Sequence, residues 1–138
     1  MKLDVSVRTP AAATGDALVL ERYAGEDRLG PEVRRVDLAL GGFLALALRD
    51  QRFEGRVADV TDVHTGGRLA AKRVLVVGLG PRAECTAEVL RRAAGAVARR
   101  ARDLGAASLA IPVLGTRAPG LGLAARVQAT GEGVLLGL

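Results

Sequence analysis

The 138-residue sequence has no tryptophan, two phenylalanines, one tyrosine, one cysteine and one histidine. Each shortage removes a class of chemistry. A lone Cys85 cannot close an intrachain disulfide, nor supply the several thiolates of a structural zinc site. A lone His64 leaves little material for histidine-based acid–base catalysis. With aromatics at 2%, no rings interleave with the arginines for base stacking. No run approaches the ~18 apolar residues of a membrane-spanning helix. Asp4 and Arg8 interrupt the stretch where an export signal would need its apolar core. The expected compartment is therefore the cytoplasm.

What is present is aliphatic. The apolar fraction of 49% comes mainly from 25 Ala, 21 Leu and 16 Val, too much hydrophobicity for a disordered chain. A chain this long makes one domain and buries roughly two-thirds of its unfolded surface. Small side chains of this kind pack closely, in layers of helix on sheet. The net charge is +5, and 18 of the 20 basic residues are Arg. Arg in place of Lys, beside abundant Ala and Gly, reads as the output of a GC-rich genome more than as nucleic-acid recognition.

Periodicity gives the element order. Leu3–Arg8 alternates apolar and polar as a strand, Thr9–Gly15 is a loop, and Ala17–Tyr23 is a second strand. Pro31 opens a helix whose stripe is Val33, Val36, Leu40, Leu44 and Leu48, interrupted by Gly41-Gly42. Val57–Thr65 is a weaker strand, followed by a turn at Gly66-Gly67. Arg73–Val77 is continuously apolar and reads as a central strand covered on both faces. Thr86–Leu104 is a helix capped by Thr86 and stopped by Gly105, with Ala87, Leu90, Ala94, Val97, Ala101 and Leu104 as its seam. Ser108–Leu114 reads as another buried strand, and Leu121 onward as a helix weakened by Gly131 and Gly133. The 73–114 run predicts a right-handed parallel crossover in a mixed, mostly parallel sheet. The apolar run Val134–Leu138 reads as a chain cut short.

Four features invite a chemical reading. Gly78, Gly80 and Ala83 fit G-x-G-x-x-G/A after a strand, the pattern of a dinucleotide phosphate loop. Against it, Pro81 removes an N–H, the helix starts late, and the next strand carries no carboxylate. The plain alternative is a strand-to-helix turn. Cys85 precedes a helix cap, where the dipole would lower its pKa; otherwise it packs against Leu90. His64 could join Asp59 and Asp62 around a metal, but the odd spacing puts Asp59 and His64 on opposite faces. Arg91, Arg92, Arg99, Arg100 and Arg102 could meet phosphates on nucleic acid, or simply form a solvated face.

Several segments together resemble one family. They are Gly15–Leu20, Leu38–Gly42, Phe53-Glu54-Gly55, Ala71–Gly80, Thr86–Gly95 and Glu132–Leu138, in the order found in the N-terminal domain of leucyl (cytosol) aminopeptidases. The resemblance implies a macro-domain-like, three-layer α/β fold. It implies a parent enzyme, usually hexameric, that removes N-terminal residues such as Leu from peptides with two divalent metals (Mn or Zn). The metal ligands and the catalytic Lys and Arg of that family lie in a separate C-terminal domain, whose Asn-Thr-Asp-Ala-Glu-Gly-Arg-Leu signature does not occur here. No catalytic or metal-binding residue therefore carries over. The expected role is non-catalytic, in subunit assembly or access control, with the catalytic domain and sister subunits as partners. The alternative is a stand-alone macro-type module that binds ADP-ribose or a nucleotide through Gly78–Ala83.

Overall fold

The computed structural model describes residues 15–26 and 29–137. The expected strand at Leu3–Arg8, residues 9–14 of its following loop and Leu138 lie outside the described residues. Elements in chain order are β1 (Ala17–Ala24), α1 (Pro31–Ala39), α2 (Phe43–Asp50), β2 (Val60–His64), β3 (Arg73–Pro81), α3 (Ala87–Asp103), β4 (Leu109–Ala110) and α4 (Leu123–Gly137). A single 3₁₀ turn, Arg82–Glu84, joins β3 to the approach of α3.

The sheet order is β2-β3-β1-β4. β1 runs parallel to both β3 and β4, while β2 is antiparallel to β3, so the sheet is mixed as expected. Successive strand residues point to opposite faces, and this alternation sorts the core into two halves. Ala17, Val19, Leu75, Val77 and Leu79 face α3 and α4, while Leu18, Leu20, Val74 and Val76 face α1 and α2. Both interior strands are buried on both faces, which is why they read as continuous apolar runs. The result is the three-layer α/β fold expected from the sequence.

The helical layers differ in detail from the sequence reading. The stripe from Val33 to Leu48 belongs to two helices, because Gly41 (φ 65°) and Gly42 (φ 86°) both adopt left-handed backbone. The Asp37 carboxylate accepts the Ala45 N–H at 2.8 Å, so α1 caps the first turn of α2 from outside. α3 keeps its expected seam and its Thr86 cap, which accepts from the Val89 N–H. It buries a second flank as well, including Ala93, Gly95 and Ala98, because α4 packs alongside. Gly131 and Gly133 do not end α4, which continues to Gly137.

The expected strand 108–114 is realised only at Leu109–Ala110. Pro112 offers no N–H to a ladder, and the chain leaves the sheet there. Leu114 is still fully buried, but as part of a loop: it donates its N–H to Thr130 Oγ1 and accepts from Arg126 Nε. β2 is likewise shorter than the expected 57–65 stretch. Ala58 has a left-handed φ of 65°, which ends strand geometry before Val60.

Candidate functional site

The carboxyl ends of parallel strands are where open α/β sheets usually present ligands. In this molecule β1, β3 and the segment after β4 end on that side. β1 carries three polar side chains there. Alternation puts Glu21 and Tyr23 on the face shared with Ala17 and Val19, toward α3 and α4. Arg22 points to the other face.

Glu21 is half-buried and its two oxygens accept the N–H groups of Gly115 (2.7 Å) and Thr116 (3.1 Å). The Tyr23 hydroxyl donates to the Thr116 carbonyl at 2.6 Å. Arg126 on α4 closes the arrangement, donating to the carbonyls of Val113 and Leu114 and to Thr116 Oγ1. The 113–117 segment is thus held from below by a carboxylate and a phenol, and from the side by a guanidinium. Arg117 lies over the Tyr23 ring at 5.9 Å and pairs with Glu26, which also pairs with Arg82.

Burial governs the titration of these groups. It pushes the Glu21 carboxyl up, opposed by the two amide bonds, Thr116 and the charge of Arg126. Tyr23 is raised by burial and by the neighbouring Glu21 and Cys85. Of the two readings of Cys85, packing against Leu90 holds and acidification by the helix dipole does not. Instead, burial first and Glu21 second push its thiol up, because it sits in the core with Leu90 at 4% exposure. A protonated, enclosed thiol is a poor nucleophile. The chemistry open to this cluster is anchoring of backbone.

The raised Glu21 pKa has a consequence for stability. Between the ordinary value of 4.5 and its folded value, the folded state holds a proton that the unfolded chain has lost. The contribution of Glu21 is therefore fully present below pH 4.5 and is lost as pH rises through the folded value. Glu21→Gln removes this slope. It also turns an amide NH₂ toward a backbone N–H, at a cost of about 1–3 kcal/mol. Urea unfolding across pH should give a flatter stability curve for Glu21→Gln above pH 4.5 than for wild type. Parallel curves would contradict the assignment.

The sequence-predicted candidates lie elsewhere. Gly78 and Gly80 are inside β3, one stretch earlier than a strand-to-helix loop. Their N–H groups are already donated, from Gly78 to the Asp59 carbonyl and from Gly80 to the Gly55 carbonyl. A Cβ on Gly78 would fall on the Arg56 carbonyl and lie 2.6 Å from the Gly55 oxygen. Gly80 has φ +72° with Val57 against it. Ala83 is exposed in the 3₁₀ turn. His64 is exposed and its Nδ1 accepts the Gly66 N–H, while Asp62 pairs with Arg73 and Arg100. Of the arginine face on α3, Arg91 pairs with Glu88 and Glu132, and Arg100 with Asp62. Among the described residues, no three His, Cys, Asp or Glu side chains gather to hold a metal ion. The donors among the described residues do not fit a two-metal centre.

Sequence reasoning missed Glu21 and Tyr23. The signal was available: the alternation that faces Ala17 and Val19 inward carries on to a carboxylate and a phenol. A cleft of about 620 Å³ opens at the carboxyl ends of β1 and β3, where Arg22, Glu26, Phe53, Glu54, Arg56 and Pro81 form part of the wall. Its charges are largely spent on one another, Arg56 with Glu54 at 2.9 Å and Glu26 with Arg82 and Arg117.

Comparison with solved structures gives the class first. The macrodomain of Mycobacterium tuberculosis DarG superposes with a TM-score of 0.76 at 19% identity, covering 95% of this chain and 88% of that one. A mutant tomato leucine aminopeptidase gives 0.73 at 22% identity, covering 98% of this chain but 27% of its own. The chain therefore has a macro-like α/β fold. The sequence profile of the cytosol aminopeptidase family, N-terminal domain, matches residues 19–138. A probable cytosol aminopeptidase of Geobacter sp. (strain M21) is 37% identical over 110 residues, 80% of this chain and 22% of the relative. The chain belongs to the cytosol aminopeptidase family, as its N-terminal domain. It spans about a fifth to a quarter of the length of the curated relatives it matches. No described helix is long and apolar enough to cross a membrane.

Proposed function

We propose that this chain is the non-catalytic N-terminal domain of a cytoplasmic leucyl aminopeptidase, and that it serves subunit assembly or access to the active site. The parent removes N-terminal residues from peptides, using two divalent metals, Mn or Zn, held in a catalytic domain that follows this one. The observation that carries the reading is the family match across 19–138, together with polar groups that are consumed in holding the fold. Glu21 anchors backbone, Cys85 is enclosed, and the glycines of the 78–83 segment admit a neighbouring chain segment where a phosphate would have to sit. The fold thus provides a shape and a surface, and the parent provides the chemistry.

The test uses the full-length enzyme with and without this domain. The deletion is expected to change the number of subunits per particle, or the selectivity for long against short peptides, while metal binding persists. An unchanged number of subunits per particle together with unchanged selectivity would reject an assembly or access role.

A further inference from the structure

The cleft at the carboxyl ends of β1 and β3 has a volume of about 620 Å³, within the range of about 300–1,000 Å³ typical of small-molecule sites. Its walls are fixed without a ligand. Gly80 N–H donates to the Gly55 carbonyl, and Gly55 packs so closely that a Cβ there would lie 3.1 Å from the Tyr23 carbonyl oxygen. Part of the lining is apolar, from Phe53 and Val57 of the α2–β2 connection and Pro81 at the end of β3. The rest carries both signs, Arg22 and Arg56 against Glu26 and Glu54. Glu26 already meets Arg82 and Arg117, which stand outside the lining. Glu54 meets Arg56, and their side chains are 64% and 74% exposed. A pair that exposed is weakly held and opens at little cost. Arg22 differs. It is half-buried, and its guanidinium donates to the Glu26 backbone carbonyl at 3.2 Å but pairs with no carboxylate among the described residues. A partly desolvated guanidinium favours an anionic partner, and its planar fork matches a carboxylate.

We propose that this cleft binds a small zwitterion with an apolar side chain, a free aliphatic α-amino acid. Its carboxylate meets Arg22, its ammonium joins Arg56 at Glu54, and its side chain lies against Phe53 and Val57. Charge complementarity selects this class. The charged groups of the lining balance, two Arg against two Glu, so a neutral molecule carrying both signs suits them. A nucleoside phosphate would bring charge of one sign against Glu26 and Glu54, and the Gly78 and Gly80 N–H groups that could hold it are already donated to carbonyls. A purely apolar ligand would cover Arg22 and leave its charge unmatched. Under the function proposed above, free amino acids are the parent's products, so occupancy of the cleft would follow product. The binding itself rests on this domain alone.

Titration of L-leucine into the 138-residue chain, followed by backbone amide shifts, tests the site. Saturable binding is expected with a Kd of about 1 mM or tighter, with the shifts centred on residues 22–26, 53–57 and 80–81. Leucinamide, which lacks the carboxylate, and 4-methylpentanoate, which lacks the ammonium, should each bind about tenfold more weakly. Arg22→Met keeps the apolar stem and should erase the preference for leucine over leucinamide. Glu54→Gln should erase the preference over 4-methylpentanoate, and its exposed side chain makes it the variant to rely on should Arg22→Met misfold. Arg34→Met, on exposed α1 surface outside the cleft, should bind leucine as wild type does. The absence of saturable shifts at about 10 mM leucine would overturn the proposal. Equal binding of all three compounds, or unchanged preferences in Glu54→Gln, would overturn it too. Tighter binding of adenosine monophosphate than of leucine would assign the cleft to a phosphate-bearing ligand instead. Because the chain is tested alone, failure here leaves the reading of the parent enzyme untouched.

Discussion

Gly78→Ala will remove a large part of the stability of the domain. A methyl group there has no room, since it would fall on the backbone of Gly55 and Arg56, which cannot rotate away as a side chain could. Three hydrogen bonds tie the two segments: Gly78 N–H to the Asp59 carbonyl, Ala58 N–H to the Gly78 carbonyl, and Gly80 N–H to the Gly55 carbonyl. Losing them costs about 1 kcal/mol each. Strain from overpacking adds about 1–3 kcal/mol. The sum is about 4–6 kcal/mol, against a total of about 5–15 kcal/mol for a domain. The urea midpoint should fall by roughly 2 M or more, given slopes of about 1–3 kcal/mol per M. Gly30→Ala is the control, because a Cβ at Gly30 meets nothing within 4 Å and the backbone there is not left-handed. A Gly78→Ala protein within about 1 kcal/mol of wild type would refute the packing role of the glycine pair.

The second large effect reverses sign within two residues of α4. A Cβ on Gly133 would fall on the Arg91 carbonyl and lie 2.7 Å from Ala94 Cβ, whereas at Gly131 nothing lies within 4 Å. Gly137 repeats the close approach against Gly95. α3 and α4 thus meet backbone to backbone through glycine and alanine. Gly133→Ala should cost about 2–3 kcal/mol by forcing the helices apart. Gly131→Ala should gain about 0.5–1 kcal/mol, the ordinary helix preference of alanine over glycine. Thermal unfolding of both variants reads this difference directly. Two shifts of the same sign would contradict the helix contact.

The same glycines show how far the sequence could be read. Period-two and period-3.6 patterns carry the strands, the helices and the layer order, because those periods follow from which face is buried. Glycine carries no such pattern. Gly78 and Gly80 match a phosphate-loop spacing, and Gly133 looks like a weak point in a helix. Their actual use depends on which backbone lies opposite, a long-range fact with no local signature. The short β4 was foreshadowed by Pro112, whose missing N–H outweighs the β-propensity of Ile111 and Val113. Glu21 could have been read from alternation. Its partners could not, since Gly115 and Thr116 lie more than ninety residues away in sequence. The family resemblance was legible across most of the chain, because it rests on many modest segments in order and on no single site.

This domain by itself is expected to perform no peptide hydrolysis. The direct measurement is release of p-nitroaniline from leucine p-nitroanilide by the pure 138-residue chain, with Mn²⁺ or Zn²⁺ added. The expected result is no turnover above the metal-only blank at any metal concentration. Saturable, metal-dependent turnover that follows the protein through purification would contradict it.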